Sequence, residues 1–165
     1  MEKNKVPIYK VIFNRAEELN KASLLLKKNI YEGERDGSYI APSIFCSTFC
    51  LEILLKCLIL IKHDNVFAFT ETERKLLNGH KYSDLFKKID PDIQTEIVAT
   101  YNTRFQENIS SDKFVEMLQS LGDENFIKWR YIYEENNDKK LNTELENKIL
   151  DALGLTASTL IKTKG

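Results

Sequence analysis

Pro42–Lys62, PSIFCSTFCLEILLKCLILIK, is the stretch on which the fold turns. Apolar residues run through it almost unbroken. Among the polar exceptions, Thr48, Glu52 and Lys56 recur every four residues and so form a single stripe on a helix. A helix apolar on nearly every side has to be surrounded by others, which makes this the central helix of a bundle. Glu52 precedes Lys56 by four residues, the arrangement that favours an ion pair across one turn. The stripe is expected to meet solvent or a groove, with a catalytic use of the same side chains as the alternative. The two charges also exclude a membrane span, because each would cost about 2.5–3.5 kcal/mol at the bilayer centre.

Cys46, Cys50 and Cys57, the three cysteines of the chain, all fall inside this stretch. Zinc sites usually gather cysteine pairs at gaps of two to four residues, often from different elements. All three cysteines fall in one apolar element, so buried thiols packed as small apolar groups are the expected reading over metal ligands, and no metal or cofactor is expected. An odd cysteine count argues against a disulfide framework, and Met1–Lys10 is charged without the apolar run of a secretion signal. A reducing cytoplasm is the expected location.

Outward from the central helix, Ile12, Ala16, Leu19, Ser23, Leu26 and Ile30 recur at helical spacing and predict an amphipathic helix over Phe13–Glu32, ended by Gly33 and Gly37. On the other side, Thr70-Glu71-Thr72-Glu73 reads as a capping box opening a short helix through Leu77, which Asn78-Gly79 stops. A second short helix is predicted over Tyr82–Ile89. Asp90-Pro91 gives an N-cap followed by proline at the first helical position, starting a helix that ends near Phe105. Ser110 or Ser111 caps the next, whose core stripe is Phe114, Met117, Leu118 and Leu121. Phe126–Glu134 is dense in aromatics, and its period does not separate helix from extended chain. Asn136–Leu141 is a polar linker. Thr143-Glu144-Leu145-Glu146 reads as another capping box, opening a last amphipathic helix with a break near Gly154.

The 165 residues and 19.2 kDa suit one domain, 1–165 with its core over about 12–162. Six glycines and three prolines are too few for many short strands joined by tight turns. The fold class is therefore all-α, an up-and-down helical bundle of four to five long helices with short accessory ones. Basic and acidic residues number 24 and 25, a net charge of -1, so no overall positive field exists to hold nucleic acid. Any phosphate contact has to come from a local patch.

Taken in order, the long first helix, the helix containing Leu51-Glu52-Ile53-Leu54-Leu55-Lys56, the segment Gly79-His80-Lys81-Tyr82-Ser83-Asp84-Leu85-Phe86, and Phe126–Glu134 with Trp129-Arg130-Tyr131 resemble the HEPN family of helical bundles. The resemblance covers about residues 12–135. It implies an RNA- or nucleotide-associated protein, a homodimer, and a place in a toxin-antitoxin or defence system with a partner protein such as an antitoxin. Some members of the family are metal-independent ribonucleases that carry an arginine followed four to six residues later by histidine. Arg74 and His80, with five residues between them, satisfy that spacing. Lys75 stands where active members often have a small polar residue, and the pair lies on an earlier helix than is usual. The expected ribonuclease activity is therefore weak or absent.

The chemistry of such a site is definite. Attack by a 2′-hydroxyl needs a base, which His80 would supply, and a cation on the phosphate oxygens, which Arg74 would supply. On a continuous helix a six-residue step turns the second side chain about 120° from the first. Either Gly79 swings His80 back, or two copies in a dimer build a composite site. The plainer alternative has His80 capping the next short helix and Arg74 solvated. Lys56, Glu52, Trp129, Arg130 and Tyr131 are candidate ligand-binding residues. Arg130 either pairs with Glu52 or Glu134, or converges with Lys56 and His80 on a nucleotide phosphate while Trp129 and Tyr131 stack on a base. Two further classes stand beside this reading: a non-catalytic protein-interaction or regulatory module, and a small-molecule-binding bundle.

Overall fold

The computed structural model describes residues 6–32, 39–63, 70–122 and 142–164. Among the described residues every regular element is a helix, and there is no strand. In chain order they are α1 (Ile8–Glu32), α2 (Ile40–Leu60), α3 (Glu71–Leu77), α4 (Tyr82–Lys88), α5 (Pro91–Phe105), α6 (Ser111–Gly122) and α7 (Thr143–Thr163). Gly33 and Gly37, the aromatic segment Phe126–Glu134 and the polar linker Asn136–Leu141 lie outside the described residues.

α2 holds the centre, with α1, α3, α4 and α7 packed around it. Leu51, Leu54, Leu55, Leu58 and Leu60 are all buried. α2 is long and apolar enough to cross a membrane, and 72% of its most apolar window is buried inside the protein. α1 runs antiparallel to it along a seam of small residues. The Ser23 hydroxyl donates to the Ser43 carbonyl at 3.0 Å, the Cys50 thiol to the Ala16 carbonyl at 3.2 Å, and the Cys57 thiol to the Tyr9 carbonyl at 3.4 Å. Tyr9, Ala16 and Ser23 on one helix and Ser43, Cys50 and Cys57 on the other each step by one heptad, so the pairing repeats in register along the seam. Cys50 and Cys57 thus pack as small apolar groups with weak thiol donors, and burial pushes both thiols up to about 12.

α1 starts at Ile8, a turn and more before the Phe13 expected from periodicity, because Tyr9 is drawn into the core and extends the buried stripe backwards. The Thr70 capping box forms as read, with Glu73 accepting from the Thr70 backbone N–H at 2.7 Å. Asp90 caps α5 with Pro91 behind it, and Ser110, not Ser111, caps α6. The box expected at Thr143 does not form, and the cap lies one residue earlier. Asn142 is the N-cap of α7, its side chain accepting from the Leu145 N–H at 3.1 Å, and Glu146 is released into the core. Nor does α7 break at Gly154, which sits in an unbroken helix with open space where a side chain would be.

The rest of the bundle closes on these elements. α5 lies along α7, joined by the Thr156 and Thr100 hydroxyls at 3.1 Å and by Arg104 on Asp151 at 2.9 Å. α6 covers α4 through the Phe86 and Phe114 rings, 5.0 Å apart.

Candidate functional site

The stripe Thr48, Glu52, Lys56, expected to meet solvent or a groove, is covered over Thr48 and Glu52, while Lys56 stays partly exposed. Thr48 and Glu52 are buried because the turn after α3 and the start of α4 close over them. The Tyr82 hydroxyl donates to the Thr48 carbonyl at 3.0 Å, which anchors α4 across the stripe. Glu52 lies one turn further along, its side chain 2% exposed, and Lys56 pairs with it at 2.7 Å. A buried carboxylate needs both charge compensation and hydrogen-bond donors, and Lys56 supplies only part of that.

His80 supplies the rest. Its Nδ1 stands 3.1 Å from each oxygen of Glu52. A carboxylate that already holds a lysine accepts, so Nδ1 carries the proton and the tautomer puts the imidazole lone pair on Nε2. The local sequence explains how His80 reaches that position. α3 ends at Leu77, Asn78 leaves helical geometry, and Gly79 takes φ +106°, a left-handed conformation that side chains rarely adopt. The Lys88 ammonium then clamps the turn from α4, donating to the carbonyls of Leu76 at 3.1 Å and Asn78 at 2.6 Å. The angular separation expected for Arg74 and His80 on one helix does not arise, because the helix stops between them.

His80 is 47% exposed on its side chain and sits on an open concavity of about 550 Å³. Asn78, Lys81, Asp84, Lys87 and Lys88 share its lining. Arg74 is exposed on α3, and the concavity is lined without it. His80 does not cap α4 either. Lys81 holds the N-cap position and makes no side-chain cap. Of the candidate residues the structure therefore brings together Glu52, Lys56 and His80, with Arg74 not on the lining of the concavity, while Trp129, Arg130 and Tyr131 lie outside the described residues.

Lys81 and Lys87 escaped the sequence reading, although a signal for them exists. Arg74, Lys75, Lys81, Lys87 and Lys88 fall in a short run opposed only by Asp84, in a chain whose total charge is -1. Whole-chain charge hid that run.

Elsewhere, Glu146 is buried between α7 and α2, with the Ser47 hydroxyl 3.0 and 3.1 Å from its two oxygens. Burial pushes its carboxyl up to about 7 against the smaller opposing effects of Lys27 and Ser47. A second concavity of about 300 Å³ holds Lys148 between Glu107 at 3.2 Å and Glu144 at 3.5 Å, a lysine already matched by carboxylates. Among the described residues no three His, Cys, Asp or Glu side chains gather as a metal site would require. No family model, no curated protein and no solved structure matches the chain.

Proposed function

We propose that this protein is an RNA- or nucleotide-associated helical bundle of the HEPN kind, with ribonuclease activity weak or absent. The observation that carries this reading is a histidine held on a buried carboxylate beside a lysine-lined concavity. Glu52 orients the imidazole ring through its contacts to Nδ1, while Lys56 pairs with the same carboxylate and holds it in place. Where cleavage occurs, the Nε2 of His80 takes the 2′-hydroxyl proton as the 2′-oxygen bonds to phosphorus. The bond to the 5′-oxygen breaks, and the proton passes to that leaving oxygen. The site uses no metal in this scheme. Arg74, expected to hold the phosphate, is exposed on α3 and does not line that concavity, which supports weak or absent cleavage.

The test is incubation of a mixed RNA pool in chelator with the natural protein, His80→Ala, Glu52→Gln and Arg74→Ala. Binding at low salt with slow or no cleavage is expected. Any cleavage should fall at least about 100-fold in His80→Ala, the usual weight of a general base. Cleavage abolished by chelator, or unchanged in His80→Ala, would refute the mechanism. A second reading, a non-catalytic interaction module, is favoured by Leu24 and Leu25, which α1 exposes at 55% and 61%. The two readings share one assembly, a homodimer.

A further inference from the structure

The cations of the run Arg74 to Lys88 differ in what they already hold. Lys75 is spent on Glu71 at 2.9 Å. Lys88 is spent on two backbone carbonyls, so its charge positions the turn that carries His80. Lys81 and Lys87 make no ion pair among the described residues, and both line the concavity that His80 shares. Lysines without an ion pair among the described residues, converging on one hollow, form a local anion site in a chain of net charge -1.

We infer that Lys81 and Lys87 are the phosphate contacts of this concavity, displacing Arg74 from that role, and that the ligand is a nucleotide phosphate, either free or as one unit of single-stranded RNA. The inference rests on the RNA or nucleotide reading above and assigns its charges. The hollow of about 550 Å³ falls within the roughly 300–1,000 Å³ of small-ligand sites. Asp84 on the same lining decides between anions. A carboxylate there opposes a polyphosphate but accepts from a hydroxyl or an amine, so the fitting ligand pairs one phosphate with hydrogen-bond donors, as a nucleotide does. Lys81 and His80 line the same concavity, so a phosphate held there by Lys81 shares the hollow with the imidazole.

The experiment titrates a labelled single-stranded RNA by fluorescence anisotropy at several salt concentrations. It compares the natural protein with the double variant Lys81→Ala/Lys87→Ala, with Arg74→Ala, and with Lys113→Ala/Lys162→Ala on α6 and α7. Each phosphate contact contributes about 0.7 to the slope of log affinity against log salt for a single strand. The double variant should therefore lose about 1.4 from that slope, whereas Arg74→Ala and the α6/α7 control should lose none. Competition by a mononucleotide but not by inorganic phosphate identifies a free nucleotide as sufficient; competition by RNA alone identifies the polymer. RNA binding with an unchanged slope in the double variant, or a slope lost in Arg74→Ala instead, overturns this assignment and leaves the broader reading standing. A natural protein that binds neither RNA nor nucleotide at low salt overturns both. Circular dichroism of each variant checks that the helices persist.

Discussion

Glu146 shows how much depends on one carboxylate. Its donor Ser47 has a single hydroxyl proton, and the Ile44 carbonyl stands at 3.0 Å to compete for it. An ionised Glu146 claims that proton, whereas a protonated Glu146 donates to Ser47 and lets the hydroxyl return to Ile44. Lys27 of α1 bears on the group electrostatically, as Glu146 does on Cys50 of α2, yet burial dominates. With a carboxyl at about 7 when folded against 4.5 ordinarily, the folded state holds a proton that the unfolded state has released. Stability from this group is thus full below about pH 4.5 and is lost as pH rises through about 7. Thermal unfolding at pH 5 and pH 8 should show the natural protein weaker at pH 8, and Glu146→Gln should recover about 1–3 kcal/mol there while changing little at pH 5. A variant with the natural pH slope would remove Glu146 as its source. The Glu52–Lys56 pair was legible from spacing, because both members stand on one helix. The His80 partner was not, since 28 residues separate it from Glu52 and the approach depends on the backbone of Gly79.

Elements were most legible where their ends carried chemistry of their own. Thr70 with Glu73 and Asp90 with Pro91 announce helix starts through bonds made within three residues, and both formed in place. The start of α1 was missed because it is set by Tyr9 burying against the core, a tertiary effect. The start of α7 moved by one residue because Asn142 competes with Thr143 for the same cap, and the winning register also puts Glu146 in the core. Gly154 was misread as a break because glycine is a poor helix former, yet Ile149, Leu150, Ala152, Leu153, Thr156 and Ala157 are buried on both sides of it and hold the helix through. A side chain there would meet nothing within 4 Å. Gly154→Ala should therefore stabilise the protein by about 0.5–1 kcal/mol, read as a higher urea midpoint with an unchanged m-value. A lower midpoint would mean that α7 needs the glycine for a reason other than space.

At the scale of the whole molecule, the central place of α2 was legible because a helix apolar all round has only one place to go. What covers its polar stripe was not, because Tyr82 of α4 reaches Thr48, and His80 of the preceding turn reaches Glu52, only once the bundle has closed. The outer surface of α1 sets the remaining question of assembly. α1 spends Tyr9, Ala16 and Ser23 on α2, which turns Leu25 to the opposite side, and Val11, Leu24 and Leu25 are left 46%, 55% and 61% exposed. Scattered apolar residues are ordinary on a protein surface, whereas adjacent large ones on one helix mark a contact face. We predict a homodimer that buries this part of α1. Light scattering at micromolar concentration should report twice the 19.2 kDa chain mass. Leu24→Glu/Leu25→Glu should return it to a single chain, because charges facing each other across the contact repel and lose water. Both residues are exposed in the monomer, so the double variant should keep its unfolding temperature at high dilution, where the dimer is absent. A natural protein that scatters as one chain at every concentration would reduce these leucines to ordinary surface.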